Sequence, residues 1–216
     1  MVNTKLKSVA FLAFTTLLSL FVAPKNSFAG HVSGGDITYR FSADSVCELE
    51  VRFYRDCRGV PFGNPSSATR LRCLTSSKSQ VLSLTLVSIK EVTWMCTSAK
   101  PNCDPKNTYG TGTGIEEHLF KTTIDFRNST FKSFIACGDV IIETGQCCRT
   151  SAINTGPSGN FYTYLKLDLD HLIKSEGPKF NSTPRVNVCC NQPTYMDFSA
   201  KDPDDLFKIG SFADTE

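Results

Sequence analysis

Two acidic groups in this 216-residue chain have the composition that acid–base chemistry requires. Glu116 and Glu117 stand beside His118, and carboxylates next to an imidazole can transfer protons or bind a metal. On a strand, however, Glu117 and His118 would point to opposite faces, which favours a structural role. Asp168 and Asp170 would share one strand face, as paired glycosidase carboxylates do. Two acids on the solvent side of an amphipathic strand are more common, so a structural role is favoured here too.

Metal binding has two candidate sites. If signal cleavage fell after Gly30, His31 would become the N-terminus, and an N-terminal His on a β-sandwich resembles the copper site of lytic polysaccharide monooxygenases. Cleavage after Ala29 fits the small-x-small rule better, which makes copper the minor alternative. The densest acidic cluster offers hard oxygen ligands suited to calcium but lacks the EF-hand spacing. It consists of Asp197, Asp202, Asp204 and Asp205.

Ten cysteines, an even number, predict a set of disulfides in an exported chain. No CxxC motif is present, and the three histidines complete no zinc-finger spacing, so metal binding by thiols is the minority interpretation. The cysteines predicted to form disulfides are Cys47, Cys57, Cys73, Cys96, Cys103, Cys137, Cys147, Cys148, Cys189 and Cys190.

The connectivity of these cysteines is only partly suggested by spacing. Cys96–Cys103 is the most plausible local loop closure, and Cys57–Cys73 is a weaker hypothesis. Neighbouring cysteines on a strand point apart, and a bond between them needs a strained backbone. The adjacent pairs 147–148 and 189–190 are therefore predicted to bond to other cysteines and not to each other.

The first 29 residues predict export. Lys5 and Lys7 precede an apolar run over residues 9–23, and Ser27 and Ala29 form a small-x-small cleavage site. The apolar run is shorter than the roughly 20 residues that span a bilayer, so no transmembrane anchor is expected after cleavage. Removing Lys5, Lys7 and Lys25 from the 23 basic residues leaves 20 against 21 acidic residues, which makes nucleic acid an unexpected partner.

The elements that would position these residues are strands. Apolar and polar residues alternate with a period of two, most regularly over residues 161–170 and also over residues 47–54 and 120–126. Short amphipathic strands separated by turn-rich stretches predict an all-β fold, an antiparallel immunoglobulin-like β-sandwich stapled by disulfides. We expect the signal peptide at residues 1–29 and the sandwich at 30–190. Residues 191–216 would begin a second, incomplete sandwich module or form a polar tail.

Two segments near the mature N-terminus resemble a known family. Residues 31–39 read HVSGGDITY and residues 51–57 read VRFYRDC, similar to the opening of large Bacteroidetes surface proteins described as gliding-motility-associated or PKD-type. The resemblance also places His31 in a family motif and not in a copper site. It continues through residues 59–62, 107–112, 114–118, 147–149, 154–156, 160–164 and 181–184.

That resemblance implies a cell-surface role. Such proteins continue into further sandwich repeats and a sorting domain for type IX secretion and surface attachment. Near residues 197–205 the family reads Asp-Pro-Asp-Gly-Asp, whereas this chain lacks the glycine and then stops. We therefore expect either a truncated gene product or a standalone relative, secreted or held at the outer cell surface.

The predicted function is that of a non-enzymatic extracellular module, the N-terminal part of an adhesin or structural surface protein. No GxSxG, HExxH or phosphate-loop motif is present, and no cofactor other than calcium is suggested. Tyr162, Tyr164 and Lys166 form the predicted contact face for an extracellular protein or glycan. The alternative is a secreted carbohydrate-active enzyme, copper-dependent through His31 or hydrolytic through Asp168 and Asp170.

Overall fold

The computed structural model describes most of the region predicted to form the sandwich. The described residues are 32–43, 45–57, 59, 61, 63–92, 103, 114–149, 159–170, 175–182, 193, 197 and 199–203. The predicted signal peptide and several predicted site residues lie outside them: His31, Cys96, Cys189, Cys190, Asp204 and Asp205. No helix within the described part of the chain is long and apolar enough to cross a membrane.

Strands make up most of the described chain. They are β1 (Val32–Ala43), β2 (Val46–Asp56), β3 (Arg70–Cys73), β4 (Ser79–Val81), β5 (Thr85–Glu91), β6 (Ile115–Asp125), β7 (Asp139–Gln146), β8 (Phe161–Asp168), β9 (Lys179–Phe180) and β10 (Ala200–Lys201). Among the described residues, helical structure is limited to a 3₁₀ turn at Pro65–Ala68, one α-helical turn at Ser129–Lys132 and a second 3₁₀ turn at Ile135–Cys137.

The first eight strands form two four-stranded sheets. Sheet A has the order β1-β2-β6-β5, and sheet B has the order β4-β3-β7-β8. Every neighbouring pair of strands is antiparallel. The predicted all-β, antiparallel fold with little helix is therefore confirmed. β9 and β10 pair separately, Phe180 with Ala200 and Lys179 with Lys201.

Period-two alternation places one face of each sheet in a shared core. On β2, Leu49, Val51 and Phe53 are fully buried, while Glu50 and Arg52 between them point to the opposite face. The apolar faces of both sheets contribute to one continuous hydrophobic cluster. The outer faces of sheets A and B consequently point away from each other.

Gly35 allows β1 to approach its neighbours closely. A Cβ atom there would lie 2.6 Å from the backbone oxygen of Arg52 and 3.0 Å from the ring of Phe161. Because the first of these is a backbone atom of the paired strand, a side chain could be accommodated only by displacing β1 from β2. The glycine therefore sets the spacing on which both the sheet and the core depend.

A later segment extends sheet A at its β1 edge. The Phe41 N–H donates to the oxygen of Ser175, and the Gly177 N–H donates to the oxygen of Tyr39, at 2.8 and 2.9 Å. These bonds carry the following residues, 179–182, over the outer face of sheet A. β10, which pairs with β9 there, belongs to the segment 191–216 that the sequence assigned to a second module or a polar tail.

Two disulfides join residues that are distant in the sequence. Cys57 pairs with Cys103 and Cys73 with Cys137, with Cα separations of 5.1 and 5.7 Å. The predicted bonds Cys96–Cys103 and Cys57–Cys73 are therefore wrong. The reason is strand pairing: Cys73 lies opposite Val140, close to Cys137, at the start of β7.

Three further cysteines differ from the prediction. Cys147 pairs with its neighbour Cys148, across a cis peptide bond. The argument from strand alternation does not apply to them because β7 ends at Gln146. Cys47, predicted to form a disulfide, is a free thiol buried in the core side of β2.

Candidate functional site

The outer face of sheet B carries two neighbouring tyrosines. Tyr162 and Tyr164 alternate along β8 with partly buried residues, and their exposures are 56% and 62%. Their ring centroids lie 6.2 Å apart, with the ring planes 37° from each other. Lys166 follows on the same side of the strand. The predicted contact residues therefore share one solvent-facing surface, which we call the tyrosine face, together with Glu143 and Arg72 beside them.

Glu143 on β7 holds Tyr162 in place. The phenolic hydroxyl of Tyr162 donates to Oε2 of Glu143 at 2.7 Å, and Nη2 of Arg72 donates to the same oxygen at 3.2 Å. The hydrogen bond to Glu143 raises the pKa of Tyr162, because the carboxylate stabilises the protonated phenol. The ring of Tyr162 is thus oriented before any partner arrives.

The charges on this surface are paired. Lys166 forms an ion pair with Asp139 at 2.7 Å, and Arg72 forms one with Glu143 at 3.2 Å. The tyrosine face therefore offers aromatic rings and hydrogen-bonding groups without an excess of either charge. Chemically, it can stack on a partner and exchange hydrogen bonds with it.

The predicted acid–base group Glu116-Glu117-His118 is divided between the two faces of sheet A, as alternation on β6 requires. His118 and Glu116 face inwards, with Nε2 of His118 3.1 Å from Oε2 of Glu116. Arg55 donates to the same carboxylate through Nη2 at 2.7 Å and through Nε at 3.2 Å. Glu117 lies on the outer face of the sheet, where Tyr54 donates to it at 3.3 Å.

The inward group is a buried charge cluster of Arg55, Glu116 and His118. Burial lowers the pKa of His118 by disfavouring the imidazolium, against the opposing effect of Glu116. Burial would by itself raise the pKa of Glu116, but hydrogen bonds from Arg55 and His118 hold it below its ordinary value. Arg55 also donates to the backbone oxygen of Gly59. This cluster links β2, β6 and the loop after β2.

The outer face of sheet A holds a polar pocket that sequence reasoning missed. Its volume is about 270 Å³. The floor comes from three adjacent strands, and the wall comes from the segment that crosses them. We call it the outer pocket, lined by Asp36, Thr38, Arg52, Tyr54, Glu117, Lys179, Phe180, Asn181 and Ser182.

Arg52 lies at the centre of the pocket's charges. It forms ion pairs with Asp36 at 3.2 Å, with Glu117 at 4.0 Å and with Glu50. Tyr54 donates towards both Asp36 and Glu117 at 3.3 Å. Burial raises the pKa of Asp36 even though Arg52 opposes the shift, and burial likewise raises the pKa of Tyr54.

The signal for this pocket was weak in the sequence. Strand register puts Asp36 opposite Arg52 and Tyr54 opposite Glu117, so these residues share a face. Alternation places Arg52 and Tyr54 on one side of β2, but it cannot show that β6 pairs with β2. The crossing of residues 179–182 over the sheet has no local sequence signature.

Asp168 and Asp170 lie where β8 ends, and both are exposed. The backbone N–H of Asp170 donates to Oδ1 of Asp168 at 2.8 Å, which stabilises the turn after the strand. The carboxylate of Asp170 lies beside Gly138, whose positive φ of 66° favours glycine. Local backbone geometry thus accounts for the placement of both acids.

Two of the four predicted calcium ligands are described. Asp197 accepts a hydrogen bond from the N–H of Ser199 at 2.8 Å, and its interactions with Ser199 lower its pKa. Asp202 follows β10. Among the described residues, the one close group of three metal-type donors is Cys57, Cys103 and Glu116, and its two sulfurs form a disulfide. Calcium binding by Asp197, Asp202, Asp204 and Asp205 stays a prediction.

No protein-family model, curated protein or solved structure matches this chain.

Proposed function

We propose that the chain is a non-enzymatic extracellular or cell-surface binding module, the N-terminal part of an adhesin or structural surface protein. One observation carries this proposal: Tyr162 and Tyr164 stand side by side and exposed on the outer face of sheet B. Two exposed aromatic rings side by side form a contact area, and each supplies that area at low conformational cost.

The environment of Tyr162 supports a binding role. Its hydroxyl is held by Glu143, which in turn is held by Arg72. Because the ring is already oriented, less side-chain freedom is lost when a partner binds.

A neutral polysaccharide is the partner that this surface fits best. The charges of Lys166 and Arg72 are matched by Asp139 and Glu143, so the face does not select for a charged ligand. Two rings about 6 Å apart on a broad sheet surface can stack on successive parts of a flat chain. The phenol, carboxylate and guanidinium groups around them can bond to its hydroxyls.

The strand order supports an immunoglobulin-like fold. In that fold one sheet carries the order A-B-E-D, and the other carries C-F-G with an added C′ strand beside C. With the eight strands lettered in chain order, sheet A reads A-B-E-D and sheet B reads C′-C-F-G. Modules of this architecture are common at cell surfaces, which agrees with the resemblance to Bacteroidetes surface proteins.

Disulfides support the extracellular location. Six of the seven described cysteines form pairs, and disulfides persist in oxidising compartments. A domain of this size has enough core to fold without them. We therefore interpret the disulfides as a sign that the protein works in the oxidising environment outside the cell.

Binding to suspended cellulose, chitin and xylan tests the proposal. We expect wild-type protein to be depleted by at least one of them, and the double variant Tyr162→Ala/Tyr164→Ala to bind at least about tenfold more weakly. Tyr162→Phe keeps the ring and should retain most of the binding. Ile89→Ala removes a large apolar side chain of similar exposure, 51%, from β5 in the other sheet and is the matched control.

Two results would contradict the proposal. If the double variant binds as the wild type does, or if Ile89→Ala weakens binding equally, the tyrosine face is not the contact surface. If wild-type protein binds none of the three polysaccharides, a neutral glycan is the wrong partner class and a protein partner takes its place.

A further inference from the structure

The outer pocket is large enough for one small chemical group of a ligand. Its volume of about 270 Å³ lies just under the range of roughly 300–1,000 Å³ that holds drug-sized ligands. It lies on the outer face of sheet A, on the opposite side of the molecule from the tyrosine face. Whatever it binds is therefore independent of the function proposed above.

The floor of the pocket is short of hydrogen-bond donors. Tyr54 has one hydroxyl proton, yet Oδ2 of Asp36 and Oε2 of Glu117 both lie 3.3 Å from its oxygen. At any moment it can donate to one carboxylate only. Within the part of the chain that the structure describes, no other donor reaches Oδ2 of Asp36. The carboxylate oxygen to which Tyr54 is not donating can therefore accept a hydrogen bond from a ligand.

The ion pairs around the floor leave the same two carboxylates with one partner. Asp36 and Glu117 both pair with the single guanidinium of Arg52, at 3.2 and 4.0 Å. Lys90 lies opposite Glu117 in the register of β5 and β6 but forms no ion pair with it. Lys179 in the wall is paired with Glu176. Among the described residues, no second cation forms an ion pair with either carboxylate of the floor.

We propose that the outer pocket binds a protonated primary amine, carried by an amino sugar or by a lysine side chain. An ammonium group has three protons and can donate to Asp36 and Glu117 together, whereas a hydroxyl has one proton and can serve only one of them. Its positive charge pairs with both carboxylates, which share the guanidinium of Arg52 as their ion-pair partner. The exposed ring of Phe180 in the wall packs against the carbon part of the ligand.

Calorimetric titration of the full chain at neutral pH tests this inference. The probes are glucosamine and Nα-acetyl-lysine amide, and the matched controls are glucose and Nα,Nε-diacetyl-lysine amide, which lack the ammonium group. We expect at least one amine to bind and both neutral controls to bind at least about tenfold more weakly. Binding of both amines identifies the ammonium group alone as the determinant, while binding of glucosamine alone identifies an amino sugar.

Variants locate the binding in the pocket. Asp36→Asn keeps the acceptor for Arg52 but removes the charge, and Phe180→Ala removes an exposed ring without disturbing the core. Each should weaken amine binding about tenfold, whereas Tyr162→Ala/Tyr164→Ala should leave it unchanged. Amine binding by the wild type should also weaken as acid protonates Asp36, a result that needs no variant.

Three outcomes would overturn the inference. Glucose binding that is as tight as glucosamine binding, and that persists in Tyr162→Ala/Tyr164→Ala, would make the pocket a site for neutral polyols. The absence of binding by both amines would leave the proposed ligand class without support. Amine binding that survives both Asp36→Asn and Phe180→Ala would place the site elsewhere.

Discussion

The rings of Phe53 and Phe161 meet edge to face between the two sheets, with their centroids 6.1 Å apart. Phe53 lies on β2 and is fully buried, and Phe161 begins β8. This contact joins sheet A to sheet B at the start of β8, the strand that carries Tyr162 and Tyr164. The packing of Phe53 consequently bears on both the stability of the fold and the position of β8.

Phe53→Ala should lower the free energy of unfolding by about 3–5 kcal/mol, because it removes a buried ring and leaves a cavity between the sheets. Denaturation by urea measures the change. Tyr164→Ala, which removes an exposed ring from β8, is the matched control and should alter stability by no more than about 0.5 kcal/mol. A loss below about 1 kcal/mol in Phe53→Ala would mean that the two sheets do not share this core.

Gly35→Ala should destabilise the protein by about 1–3 kcal/mol. The new Cβ atom would lie 2.6 Å from the oxygen of Arg52, and backbone atoms in a paired strand cannot move aside as a flexible side chain can. Gly63→Ala is the matched control, because nothing lies within 4 Å of its Cβ position. Equal stability of the two variants would show that β1 is not held against β2 as described.

Local patterns predicted the strands far better than the contacts between them. Alternation identified β2 and β8 and the exposure of Tyr162 and Tyr164, since the period of a strand is a property of neighbouring residues. Leu82 and Leu84 also alternate with polar residues in the sequence and are buried, yet they lie between β4, which ends at Val81, and β5, which begins at Thr85. Their burial reflects packing against the core and not membership of a strand.

The disulfides and the outer pocket depend on which strands become neighbours. Cys73 reaches Cys137 because β3 pairs with β7, although 64 positions separate them. Asp36 and Glu117 meet at Tyr54 because β1 and β6 both pair with β2. Spacing along the chain contains no information on these pairings, which the folding of the whole domain decides.

Acid should destabilise the protein through His118. Its pKa is lowered by burial from the ordinary value of 6.5, so the unfolded chain takes up a proton at a higher pH than the folded chain does. The stabilising contribution is complete above that ordinary pKa and is lost as the pH falls below it. Glu116, whose pKa also lies below its ordinary value, adds a loss in the same direction at more acidic pH.

Urea denaturation at pH 7 and at pH 5.5 measures this effect. Wild-type protein should have a lower free energy of unfolding at pH 5.5 than at pH 7. His118→Gln keeps a hydrogen bond to Glu116 but cannot titrate, so its free energy of unfolding should fall less between the two pH values. Arg55 and Glu116 stay in place in this variant, so the difference between its acid response and that of the wild type is due to the imidazole of His118. An identical loss in both proteins would show that His118 does not control the acid response.

Removing the bridge between β3 and the turn before β7 should cost about 2–4 kcal/mol, because the unfolded chain regains the freedom of a long loop. The variant is Cys73→Ala/Cys137→Ala, since the two sulfurs form one bond. Its unfolding free energy is compared with that of wild type with and without reductant. Reductant should lower the stability of wild type more than that of the variant, and equal losses would contradict the pairing.

Cys47 should be the one described cysteine that reacts after denaturation without reduction. Burial raises the pKa of its thiol to about 12, so the reactive thiolate is scarce in the folded protein and the side chain is also shielded from reagents. Peptide mass mapping with iodoacetamide checks this. The label should reach Cys47 only in denaturant, and Cys57, Cys73, Cys103, Cys137, Cys147 and Cys148 only after reduction as well. Finding Cys47 in a disulfide, or any of the other six labelled without reductant, would overturn the connectivity.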